Sequence, residues 1–143
     1  METIENRQLE SELQELYLEN KEWLSDALFI EDEIRFFQNL FDKVISLAIL
    51  EDRVSELHPI NKSLEELMKT GQVIKSQIIK NQHLLESLIK DPEKKIGMNL
   101  IEEKVQIAKD IKMLFTKEKT VKKALYALAE EVFEEKKTQL LSK

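Results

Sequence analysis

The chain reads as an all-α antiparallel bundle of three long helices with coiled-coil-like packing, and three observations predict it. An apolar seam steps four, three, four, three through Leu13, Leu16, Asn20, Trp23, Ala27, Ile30, Ile34, Phe37, Phe41, Val44 and Ala48. That heptad rhythm belongs to a helix packed lengthwise on other helices. The 143 residues hold only two Gly and two Pro, too few for a turn-rich β fold. Apolar residues make up 42% and charged residues 35%, a profile of long amphipathic helices. A length of 143 suits one domain, taken here as residues 1–143.

The first helix is expected from about Thr3 to about Glu56, and would span roughly 80 Å at the usual rise per residue. Leu24, Leu28, Phe36, Leu40, Ile45, Leu47 and Ile49 flank its seam, and a stripe that wide faces at least two neighbours. Glu31 and Arg35 sit one turn apart and support it slightly. His58-Pro59 marks the first break, because proline lacks an N–H and disfavours helical geometry in the residue before it. Ser63 and Glu66 then form a capping box that opens a second helix over about 63–90. Its seam is Ile60, Leu64, Leu67, Gly71, Ile74, Ile78, Asn81, Leu85 and Leu88. Gly71 on that seam either admits a bulky neighbour or marks a local break. Asp91 as N-cap and Pro92 at the first helical position open a third helix over about 92–140. Leu100, Ile107, Ile111, Leu114, Val121, Leu125, Leu128 and Val132 form its stripe. The polar stretch Thr116-Lys117-Glu118-Lys119-Thr120 interrupts it, as an exposed part of one helix or as a kink that creates a fourth.

Short connections make consecutive helices antiparallel. The second helix, at about 30 residues, is too short to cover neighbours of about 50. The first ~25 and last ~20 residues then overhang, exposing Leu9, Leu13, Leu16 and Trp23 at one end and Leu125, Leu128, Val132 and Phe133 at the other. Bare stripes of that length are unusual on a monomer, so a twofold homodimer is expected. A kink at Asn20-Lys21 or within 116–120 would instead fold the ends back into a four-helix bundle.

Several classes of function are disfavoured by what the residues lack. There is no cysteine, so thiolate metal sites, cysteine nucleophiles and disulfides are excluded. The acidic start has no basic or apolar leader region, and no stretch approaches the ~18 apolar residues of a membrane span. The expected location is therefore the cytoplasm. Net charge is −6, unevenly spread: residues 1–58 hold fifteen acidic against five basic side chains, residues 59–143 thirteen against seventeen. An acidic chain disfavours nucleic acid as the main ligand. No Glu-x-x-His occurs, so the di-metal bundle pattern is missing. Glu31, Asp32 and Glu33 are consecutive and point around the helix, while His58 lies in a connection and His83 off the stripe. The only glycines are Gly71 and Gly97, which leaves no phosphate-cradling loop. No catalytic residue, cofactor or metal is expected.

The remaining candidates are residues of the core and its register, and of a partner surface. Asn20 and Asn81 fall on seam positions, where a buried Asn sets register or oligomeric state. Trp23 and Phe37, with Phe29, Phe36 and Phe41, cluster on the first helix as core filling or as anchors for a partner helix. Lys117, Lys119, Lys122 and Lys123, with Lys104, Lys109 and Lys112, give the third helix a basic face that docks along the acidic first helix or meets an acidic partner. Residues 20–40 carry Trp23, Leu24, Phe29, Asp32, Glu33, Ile34 and Leu40. This segment resembles a pattern in small uncharacterised helical-bundle proteins of Bacteroidetes. The resemblance implies lineage and a cytoplasmic helical bundle, with no activity to carry over. At a coarser level the three-helix pattern resembles spectrin-like repeats. The expectation is a non-catalytic structural or protein-interaction bundle, the alternative a bundle holding a small ligand or metal between its helices.

Overall fold

The computed structural model describes residues 4–50, 53–91 and 99–141, with side-chain surroundings described for 10–48, 53–91 and 100–137. Three helices pack against one another: α1 (Ile4–Leu50), α2 (Leu57–Lys90) and α3 (Asn99–Leu141). No strand occurs among the described residues. The chain divides into two compact units. The first joins Met1–Phe29 to Gln72–Met113, and the second joins Ile30–Gly71 to Leu114–Lys143. Each unit therefore contains a segment of every helix.

In the first unit Leu13, Leu85, Leu88 and Leu100 form a buried cluster, with Leu16 and Tyr17 packed against it. Asn20 bonds to Asn81 one layer further along. Numbers rise along α1 as they fall along α2, so these helices are antiparallel. Glu19 pairs with Lys104 at 3.2 Å. In the second unit Phe37 and Tyr126 meet edge to face with ring centroids 6.0 Å apart. Ile34, Phe37, Phe41 and Val44 are buried there with Leu64, Leu67, Leu114, Leu125 and Val132.

The turn between α1 and α2 corrects the expected boundaries. Arg53 lies outside the helices and its N–H bonds to Ala48 O at 2.8 Å. This i→i−5 bond is of the kind that closes a helix C-terminus. Val54–Glu56 form a single 3₁₀ turn, so α1 does not run to Glu56. Then α2 opens at Leu57, six residues before the expected start, with Pro59 in its first turn. A first-turn N–H has no acceptor within the helix, so proline's missing donor costs nothing there. Ser63 and Glu66 consequently lie inside α2 and form no capping box at its start. The expected start of the third helix at Pro92 lies outside the described residues, as does Gly97. Both α1 and α3 are single helices, uninterrupted at Asn20-Lys21 and within 116–120.

Most of the expected overhang is covered. Leu13 is buried in the first unit, and Leu125, Leu128 and Val132 in the second, while Leu16 and Trp23 are half-buried. Phe133 alone of that set is exposed, and the surroundings of Leu9 lie outside the described residues.

Gly71 admits no close approach and breaks nothing. It sits inside α2, and a Cβ built on it would lie 3.9 Å from Ile34 Cδ1, an ordinary contact distance. Alanine therefore fits without strain and removes the helix penalty of glycine. Gly71→Ala is expected to stabilise the fold by up to about 1 kcal/mol. The midpoint of urea unfolding checks it, and a lower midpoint would contradict the open space beside Gly71.

Candidate functional site

Two buried polar clusters interrupt the apolar core, one in each unit. In the first unit Asn20 is fully buried and Asn81 nearly so. The seam spacing places both on the inner faces of their helices, and the antiparallel run of α1 and α2 brings them together. Asn20 Nδ2 donates to the backbone carbonyl of Ile78 at 3.0 Å, and Asn81 Nδ2 donates to Asn20 Oδ1 at 3.0 Å. Asn81 Oδ1 is buried without a donor. The two bonds of this amide chain form in one register only, because a shift of a turn would break both and leave the buried side-chain amides unpaired.

The second cluster was missed by the sequence reading. Glu118 is only 5% exposed, although it lies in the polar stretch taken for exposed helix or kink. Its position continues the α3 stripe, four residues after Leu114 and three before Val121, which was the available signal. Its carboxyl faces that of Glu33 on α1, and burial together with this neighbour pushes Glu118 up to about 7. Lys122 and Lys119 oppose the shift. Glu33 Oε2 is itself buried with no donor.

The four candidate lysines do not form one site. Lys119 and Lys122 act on the buried Glu118 from their own helix. Lys122 also lies over the Tyr126 ring, 5.7 Å from its centroid. Lys117 and Lys123 are exposed. Of the aromatic candidates Phe37 is buried, whereas Trp23 is half-buried at the edge of the stripe, and Phe29 and Phe36 are more than half exposed.

At the turn Arg53 bonds to three carboxylates. Nη2 reaches Glu56 at 2.9 Å and also Glu131, and Nη1 reaches Glu135 at 3.1 Å. The hydrogen bond from Arg53 holds the Glu56 carboxyl below its ordinary range, and the glutamates hold the guanidinium firmly charged. This cluster ties the α1–α2 turn to α3.

Among the described residues no group of three or more His, Asp or Glu could hold a metal ion. No described helix is long and apolar enough to cross a membrane. No protein-family model matches the chain, and neither a curated protein nor a solved structure matches it.

Proposed function

We propose that the chain is a non-catalytic protein-interaction bundle that associates with a second copy of itself through the outer faces of α1 and α3. The exposed aromatic side chains of α1 carry this reading. Phe29 in the first unit and Phe36 in the second are each 57% exposed, on a helix whose other face already fills the core. Large apolar side chains held in water in this way are a common mark of a surface that another protein covers. On α3, Ile101 and Val105 are exposed in the first unit and Phe133 in the second.

The charge distribution supports a second copy as the occupant. Residues 1–58 carry a net −10 and residues 59–143 a net +4. A twofold arrangement that lays the acidic α1 of one copy on the lysine-bearing α3 of the other satisfies both. Lys117, Lys119 and Lys123, all exposed, supply the basic side. The acidic balance of the whole chain disfavours nucleic acid as the occupant of these faces.

Light scattering at micromolar concentration tests the proposal. The expected native mass is twice the 16.8 kDa of the chain, reduced to the single chain by Phe36→Glu with Phe133→Glu. A wild-type monomer would overturn self-association. The buried, unpartnered Asn81 Oδ1 favours a second reading, a small ligand held between the helices. Extra native mass that is lost on denaturation would favour it over the dimer.

A further inference from the structure

We propose that Glu33 and Glu118 form a shared-proton site between α1 and α3, so that packing in the second unit is strongest when one proton bridges the two carboxyls. Three observations meet at this point. Glu118 is nine-tenths buried on the stripe of α3. Glu33, facing it from α1, has a buried oxygen to which no described group donates. Two ionised carboxylates in such a place repel one another and leave that acceptor unpaired, whereas one proton turns the repulsion into an O–H···O⁻ hydrogen bond.

The surroundings fit one proton better than none or two. The charged groups that act on Glu118 are Glu33 from α1 and Lys122 and Lys119 from α3 itself. The two lysines stabilise the single negative charge that remains on the bridged pair.

The direction of the pH dependence follows from burial. An unburied glutamate ionises near 4.5, whereas Glu118 in the fold keeps its proton to about 7. Below the first value both states hold the proton and the contribution of the pair is fully present. Between the two values the unfolded chain releases a proton that the folded chain keeps, so stability falls as pH rises. Above the second value the contribution is gone. The bundle thus carries a device that loosens α1 from α3 within this unit as the pH rises from about 4.5 to about 7.

Unfolding by urea at about pH 5 and about pH 9, with wild type beside Glu118→Gln, tests the proposal. The glutamine amide donates to Glu33 at any pH, so the midpoint of wild type is expected to drop more than that of the variant at the higher pH. Both chains keep His58 and His83, so the difference isolates Glu118. An equal drop in both chains, or no drop in wild type, would overturn the proposal. Carbon-13 NMR of the Glu118 carboxyl in the wild-type chain gives a second measurement that does not depend on a variant folding. A midpoint near neutrality supports the shared proton, and one in the ordinary carboxyl range removes it.

Discussion

Replacing Phe37 by alanine is expected to destabilise the fold by about 3–5 kcal/mol, the usual cost of removing a fully buried aromatic ring. Phe37 is 1% exposed. It meets Tyr126 of α3 edge to face and also touches Phe36 of its own helix at a centroid distance of 6.3 Å. Truncation leaves a void beside Ile34 and Phe41, the buried residues before and after it along the α1 stripe. The stiff backbone of two packed helices cannot close such a void. A loss of that size is a large part of the stability of an ordinary domain, so the variant should unfold at much lower urea concentration or fail to accumulate. By contrast Phe36→Ala, at an exposed position one residue away, should lower the unfolding midpoint far less. Equal effects at the two positions would show that the α1 stripe is not the one described.

The second large effect is expected at the asparagine pair. Asn20→Leu removes the acceptor of Asn81 Nδ2 and leaves Asn81 with neither amide atom satisfied, at a cost of about 1–3 kcal/mol. Asn81→Leu should cost less. It removes an oxygen that is already unpaired, and Asn20 keeps its bond to the Ile78 carbonyl. The double replacement should be milder than the sum of the two, because each single change strands a buried polar group that the other removes. Urea unfolding of the four chains gives the coupling directly, and strict additivity would show that the two amides do not act as a pair. If the pair sets register, the doubly apolar chain should gain stability while losing uniqueness, seen as broadened amide resonances.

The helical class and the inner face of each helix were legible because the seam positions repeat. Asn20, Ala27, Ile34, Phe41 and Ala48 recur every seven residues, and all five are buried. The second row was less faithful at its start, where Leu16 and Trp23 are half-buried. A straight helix has 3.6 residues per turn and drifts from a 3.5 repeat, which carries one row toward the edge of the contact. The start of α2 was hidden because the rule against a helical residue before proline is a local one. It yielded at His58 once Pro59 fell in a first turn. The misread turn carried the inferred overhangs with it: with α1 ending at Leu50, the last part of α2 reaches Leu13 through Leu85 and Leu88.

The candidate sites divide in the same way. Asn20 and Asn81 were visible one by one as seam positions, but their meeting depends on the antiparallel register, which a single helix does not encode. Glu118 was visible as a seam position too, yet Lys117 and Lys119 on either side gave the segment the look of solvated helix. Glu33 carried no signal within its acidic trio. Its burial comes from the neighbouring α3, whose approach no local spacing reports.

The Arg53 cluster makes tolerance to substitution lopsided. One guanidinium serves three glutamates, so it is the hub and they are the spokes. Loss of Glu56, Glu131 or Glu135 alone leaves the arginine with two partners, and the turn stays clasped to α3. Loss of Arg53 instead takes the shared cation from all three at once. Substitution of any single glutamate should therefore disturb the turn less than substitution of Arg53, and a charge reversal at 53 should disturb it most.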